Sequence, residues 1–144
     1  MYRNPVKTYE NINKSTATGR EIEAAVLTKA AQKLRDCQTR WDAPDRVDQL
    51  DQAIRYNQRV WSILQAELDK DDNPLPGDIK LNLLRLSTYI DQRCLDIMAY
   101  PEPQKLNIII NINNNIAAGL RTRPVQAVQQ PEHQEHRAIA VNAL

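Results

Sequence analysis

The chain consists of segments in which apolar residues recur every three or four positions, separated by short polar segments that contain proline. This spacing predicts amphipathic α-helices. One apolar face is predicted over residues 18–40, where Thr18 and Glu21 have the spacing of a capping box. Residues 4–14, with Pro5 near their start, are predicted to form a short helical arm. We therefore expect an arm and one long helix in this part of the chain.

The middle of the chain holds two more helical patterns. A second long helix is predicted over residues 44–69, since proline is tolerated in a first turn. It ends at residues 71–78, where two prolines and a glycine stand within four residues. A third helix is predicted over residues 79–98, and Leu84 and Met98 widen its apolar face. We expect this helix to contact neighbours on more than one side and to lie at the centre of a bundle.

The last apolar pattern covers residues 106–121 and contains the isoleucine-rich run 108–112. That run has strong β propensity, so a strand competes with a helix, but no second strand is available to pair with it. Residues 122–144 have no sustained pattern and are predicted to be a flexible, disordered tail. The predicted fold class is all-α. It comprises a helical domain over residues 1–121, a small bundle of about four main helices with a short N-terminal helical arm.

One polar residue interrupts the apolar stripe of the second helix. Asn57 takes a place in a series that also contains Ile54, Trp61 and Leu64. A buried amide left unpaired costs about 1–3 kcal/mol. Asn57 is therefore expected either to bond a neighbour inside the core and fix the helix register, or to mark a surface that a partner covers.

Composition narrows the classes of function. The 19 Lys and Arg residues nearly balance the 18 Asp and Glu residues, so no overall field draws the protein to nucleic acid or to a membrane. No phosphate-binding loop or nucleophile–base pair is present, and His133 and His136 have no further ligands in the sequence. We predict no enzymatic activity, no cofactor and no metal. Cys37 and Cys94 are predicted to be buried free thiols of a cytoplasmic protein.

Two blocks of sequence carry a family resemblance. Residues 57–64 have the pattern Asn-x-Arg-x-Trp-x-x-Leu, followed by a Leu-Pro turn at residues 75–76 and the hydrophobic third helix. Residues 109–120 end in Ile-Asn-x-x-Ile-x-x-Gly-Leu. In this order and spacing, residues 5–121 resemble the FlaF family of bacterial flagellar biosynthesis regulators.

The resemblance implies a flagellin-directed protein that acts as a chaperone, binding flagellin and promoting its production and export. The second, third and fourth helices would then frame an apolar groove for the amphipathic terminal helices of flagellin. Trp61 would be the favoured anchor and Arg59 would lie at the rim, although each position also fits core packing. The candidate partner-binding residues are Asn57, Arg59, Trp61, Leu64, Leu83, Leu86, Asn113, Ile116 and Leu120.

An alternative implied function is post-transcriptional control of flagellin synthesis, through flagellin mRNA or through the FlbT repressor. Its support in the sequence is a basic N-terminal segment. Arg3, Lys7, Lys14 and Arg20 are accompanied there only by the acidic Glu10. Binding to RNA through such residues is expected to weaken steeply with salt.

Overall fold

The computed structural model describes the backbone of residues 5–122 and the side chains of residues 19–122. It contains four α-helices: α1 (Pro5–Thr39), α2 (Arg46–Leu68), α3 (Gly77–Ala99) and α4 (Leu106–Arg121). A 3₁₀ turn, Pro103–Lys105, precedes α4. No strand occurs in the described range, so the predicted all-α bundle is confirmed. Of the predicted tail over residues 122–144, all but Thr122 lies outside the described residues.

The N-terminal arm and the first long helix form one continuous helix. α1 passes through Thr18 without a break, so the capping-box spacing of Thr18 and Glu21 does not mark a helix start. No proline occurs between residues 6 and 43, and a glycine such as Gly19 costs a helix interior only about 1 kcal/mol. Continuing the helix is therefore cheaper than starting a second one, because each helix end leaves backbone groups without intrahelical partners.

The turn between α2 and α3 is held by one side chain. Asn73 Nδ2 donates a hydrogen bond to the Glu67 carbonyl at 2.9 Å, and Asn73 Oδ1 accepts one from the Leu75 backbone N–H at 3.0 Å. The first bond satisfies a carbonyl at the end of α2, and the second forms the Asx turn that reverses the chain. α3 therefore starts at a defined place beside α2.

α1, rather than the predicted α3, lies at the centre of the bundle. Its most extensive contacts are with α4 and then with α2, whereas α3 packs mainly against α2. The buried face of α1 carries the small residues Ala24, Ala30 and Ala31, which allow neighbouring helices to approach closely. The apolar residues of α3 are spread around its circumference, and Met98 remains 44 % exposed. The wide apolar face of α3 therefore did not mean that this helix lies at the centre of the bundle.

The directions of the helices follow from side-chain contacts. Gln38 of α1 donates to Asn107 Oδ1 near the start of α4, and Arg121 at the end of α4 donates to Thr28. α1 and α4 are therefore antiparallel. A short turn, residues 40–45, joins α1 to α2. The ammonium group of Lys33 in α1 lies 5.2 Å from the centre of the Tyr56 ring in the middle of α2, so these two helices are antiparallel. α2 and α4 consequently run in the same direction.

The isoleucine-rich run of α4 is helical, as predicted. Its buried residues recur with the helical period, and tertiary contacts outweigh the β propensity of isoleucine. The buried residues of α4 are Leu106, Ile109, Ile110, Ile112, Asn113, Ile116 and Ala117. None of the helices within residues 5–122 has both the length and the apolar character that crossing a bilayer requires.

Candidate functional site

Three buried side chains form a hydrogen-bonded chain between α2 and α4. Trp61 Nε1 donates to Asn113 Oδ1 at 2.8 Å, and Asn113 Nδ2 donates to Asn57 Oδ1 at 2.7 Å. All three residues have a side-chain exposure of zero in the folded bundle. The remaining donor of this chain, Asn57 Nδ2, points to Cys94 Sγ on α3 at 3.7 Å. We call these four residues the buried network.

The buried network gives hydrogen-bond partners to polar groups that would destabilise an apolar core if they were left unpaired. An indole N–H and two amide carbonyls each have a partner, which removes a penalty of about 1–3 kcal/mol per unpaired group. The bonds also join α2 to α4 at one register, since sliding either helix by one residue would separate donor from acceptor. Of the two predicted alternatives for Asn57, the structure shows the core amide that fixes helix register.

Cys94 closes the buried network on α3. Burial raises the pKa of its thiol to about 11, and the nearby Asp91 carboxylate adds to the rise, while the hydrogen bond from Asn57 opposes it. The thiol is therefore protonated at neutral pH, and its sulfur serves as a weak acceptor. Cys37 is also buried and free, and burial likewise raises its pKa. The predicted buried free thiols are confirmed.

A second polar pair joins α2 to α3. Gln65 Nε2 donates to Ser87 Oγ, and Ser87 is 1 % exposed. Together with the bond from Asn57 to Cys94, this pair shows that α2 and α3 are antiparallel. The sequence analysis missed both Ser87 and Gln65. Ser87 was detectable, because it lies three residues before Ile90 on the core face of α3.

Four half-buried leucines lie toward the same end of the bundle. Leu64 of α2, Leu83 and Leu86 of α3, and Leu120 of α4 pack against the core while keeping part of their surface exposed. The bond between Gln65 and Ser87 places the neighbouring Leu64 and Leu86 at the same level. We call the four leucines the end groove.

The end groove also includes the C-terminal part of α4. The bond from Trp61 to Asn113 aligns the two parallel helices, so Leu64 lies level with Ile116, three residues further along each helix. Ile116 itself is buried, at 8 % exposed. At the opposite end, Lys105 makes an ion pair with Asp96 at 3.0 Å. α3 is thus tied to the start of α4, while its contacts with α4 are few elsewhere.

The predicted partner-binding residues therefore fall into three groups. Trp61, Asn57 and Asn113 lie inside the core, and any contact with a partner through them requires the bundle to open. The four leucines and Ile116 lie toward the same end of the bundle, near the ends of α2 and α4 and the start of α3. Arg59 is exposed, but it follows Asn57 by two residues and so lies on the opposite side of α2. Binding of a partner by these residues stays a prediction.

A separate cleft of about 300 Å³ lies between the C-terminal half of α3 and the start of α4. Tyr89, Arg93 and Ile97 form its α3 wall, and Lys105 and Ile108 form the opposite wall. The guanidinium group of Arg93 lies 5.6 Å from the centre of the Tyr89 ring. Across residues 19–122, no three His, Cys, Asp or Glu side chains come together as metal ligands would. The side chains that line this cleft offer both hydrogen-bonding groups and apolar surface.

Comparison with known proteins gives one family. The family model described as flagellar protein FlaF matches residues 5–120. This match spans all four helices, the buried network and the end groove. No curated protein and no solved structure matches the chain.

Proposed function

The chain belongs to the FlaF family of flagellar proteins, and from this membership we propose that it binds flagellin in the cytoplasm as a non-enzymatic chaperone. In that role it promotes flagellin production and export. The observation that carries the proposal is the family match over residues 5–120. The leucines named the end groove support it, because each keeps part of its apolar surface exposed toward the same end of the bundle.

The proposed mechanism is docking of an amphipathic helix into the end groove. The terminal helices of flagellin are amphipathic and must not polymerise before export, so a partner that covers their apolar face opposes premature assembly. Leu83 and Leu86 lie three residues apart on α3 and present adjacent contacts, and Leu120 forms the wall on α4. Apolar burial supplies the affinity, at about 25 cal/mol for each Å² removed from water.

The buried network positions the walls of the groove. Trp61 and Asn113 hold α2 and α4 in register, so the distance between Leu64 and Leu120 depends on them. Because Trp61 has no exposed surface, replacing it with alanine is expected to lower the melting temperature strongly. Loss of flagellin binding by that variant would report on the fold. The half-buried leucines are better probes of binding, because part of each side chain is exposed.

The test is size-exclusion chromatography with light scattering on the full chain mixed with flagellin from the same organism, at low and at high salt. A complex that persists at high salt is expected, since apolar contacts are little affected by screening. Leu83→Gln should weaken the complex about tenfold while the melting temperature changes by only a few degrees.

Ile63→Gln is the matched control. Ile63 is 58 % exposed and lies on the side of α2 that carries Tyr56, away from the end groove. Its substitution should leave flagellin binding unchanged. Equal losses from Ile63→Gln and Leu83→Gln would contradict the end groove as the site.

Absence of any complex would contradict the chaperone role and favour the alternative through flagellin mRNA or FlbT. RNA binding would be recognised by a steep decrease in affinity with salt. The side chains of Arg3, Lys7 and Lys14, on which that alternative depends, lie outside the described residues.

A further inference from the structure

α3 carries a second apolar stripe that the fold and the end groove do not use. Its residues follow one another at steps of three, four, three, four and three, so they lie along one side of the helix. We call them the outer stripe: Leu81, Leu84, Thr88, Asp91, Leu95 and Met98.

Three of the four apolar residues of the outer stripe face solvent, and the fourth, Leu84, is half-buried. Leu81 is 47 % exposed, Leu95 is 63 % exposed and Met98 is 44 % exposed. The core face of α3 is formed instead by Ile90, Cys94 and Ile97. A stripe with coiled-coil spacing over five turns, with apolar residues toward both ends and two polar residues at its centre, is suited to packing against another helix.

The outer stripe is symmetric about its own centre. The pairs Leu81 and Met98, Leu84 and Leu95, and Thr88 and Asp91 are each centred on the peptide bond between Tyr89 and Ile90. If a second copy of α3 runs in the opposite direction, each apolar residue of the stripe therefore faces an apolar residue of the other copy. At the centre, Thr88 of each copy faces Asp91 of the other. This is the property that a two-fold contact between identical helices requires.

We propose that the outer stripe is the interface of a homodimer, in which α3 packs antiparallel against α3 of a second copy. Leu81 then faces Met98 of the second copy, and Leu84 faces Leu95. At the centre, the hydroxyl of Thr88 faces the carboxylate of Asp91. That hydroxyl now donates to the Leu84 carbonyl at 3.2 Å, and rotation about its side chain turns it toward the carboxylate.

The charge of Asp91 and the polar residues beside the stripe favour the antiparallel direction. In a parallel pair, Asp91 would face Asp91 and the two carboxylates would repel each other. In the antiparallel pair each carboxylate faces a hydroxyl donor. The exposed residues Arg85 and Gln92 lie on one flank of the stripe. In the antiparallel pair, Arg85 of one copy lies about two residues from the level of Gln92 of the other, so the two contribute to a polar rim.

The expected dimer is weak. Two stripes of this length bury on the order of 1,000 Å² in total, at the lower limit for specific interfaces. The dissociation constant is accordingly expected to be on the order of micromolar to tens of micromolar.

Sedimentation equilibrium of the full chain across that concentration range tests the dimer. The wild-type protein should change from monomer to dimer as concentration rises. Leu95→Glu should raise the dissociation constant about 30-fold or more, because symmetry places the change in the interface twice. Ile63→Glu, the same type of change at a similarly exposed position on α2, should leave it within about twofold.

A mixing experiment tests the pairing. Leu81→Glu and Met98→Lys should each weaken the dimer about tenfold, and an equimolar mixture should recover most of the association. Recovery is expected only in the antiparallel pair, where the two substituted positions face each other. Both residues are exposed, and unchanged circular dichroism melting would show that both variants remain folded.

Several outcomes would overturn the homodimer. They are a monomer at all concentrations, equal effects of Leu95→Glu and Ile63→Glu, or no recovery on mixing. A monomer whose Leu95→Glu variant also loses flagellin binding would assign the outer stripe to flagellin. Because the end groove and the outer stripe are probed by different residues, failure of the dimer leaves the test of flagellin binding intact.

Discussion

At the scale of single residues, two asparagines decide how α2 and α4 meet. Asn57 and Asn113 are both fully buried, and they bond to each other at 2.7 Å. An apolar pair at these positions would tolerate several registers, whereas directional bonds are satisfied in only one. The register of α2 against α4 in turn sets the level of Leu64 relative to Leu120 in the end groove.

The first prediction concerns Asn113. Replacing it with alanine leaves Trp61 Nε1 without an acceptor and Asn57 Oδ1 without its donor. The free energy of unfolding should fall by about 3 kcal/mol, as measured by urea denaturation. Asn114→Ala is the control, since Asn114 is the next residue along α4 and is exposed. Similar losses from the two variants would show that the bonds contribute nothing.

The second prediction concerns Cys94 and pH. Its thiol has a pKa of about 11 in the folded chain, against 9.0 for an ordinary thiol. Between these values the unfolded chain loses the thiol proton and the folded chain keeps it, so stability falls as pH rises. The free energy of unfolding should decrease by about 2 kcal/mol between pH 9 and 11 from this group alone.

The contribution of Cys94 is isolated by comparison with Cys94→Ser. Serine retains an acceptor for Asn57 and does not ionise in this range. Other groups that titrate there, including Cys37, are present in both proteins and cancel in the difference. Parallel curves of stability against pH for the two proteins would contradict the prediction.

At the scale of elements, α3 differs from the other helices. It packs mainly on α2, and it is linked to α4 through the ion pair of Lys105 with Asp96. α1 and α4 make their most extensive contacts with each other. A helix held mainly by one neighbour opens at a lower free energy than one held by two.

Hydrogen exchange followed by mass spectrometry measures this difference. In dilute protein, amides of α3 should exchange faster than those of α4 and of residues 24–37 in α1. At concentrations that favour the proposed homodimer, protection of α3 should increase. Protection of α3 equal to that of α4 in the dilute monomer would show that the contacts on α2 alone stabilise it fully.

At the scale of the whole molecule, the two proposed contacts occupy different sides of α3. The end groove uses Leu83 and Leu86, on the side toward the core, and the outer stripe uses Leu81 and Leu95. Both contacts can therefore form together. If both proposals hold, light scattering at high concentration should give the mass of two chains with two flagellins, and Leu95→Glu should reduce it to one of each. A one-to-one complex of the wild-type protein at every concentration would contradict this assembly.

The sequence alone determined that the described elements are helices, and it gave the approximate bounds of α2, α3 and α4. It did not give those of α1, which includes the segment predicted as a separate arm. Apolar spacing and proline positions are local, and prolines between residues 71 and 103 end helices whatever packs around them. The motif order also identified the FlaF family. The amide of Asn57 was recognised as a polar group that needed a partner.

Only the tertiary structure decided which partner each group has. That Asn57 bonds Asn113 and Cys94 depends on the spatial order of the helices, and no local pattern records that order. The same reason explains why α1 rather than α3 is central, since small residues such as Ala31 permit close packing without making a strong apolar signal. Exposure of the outer stripe likewise follows from where α2 and α4 lie, because a sequence shows that a face is apolar but not what covers it.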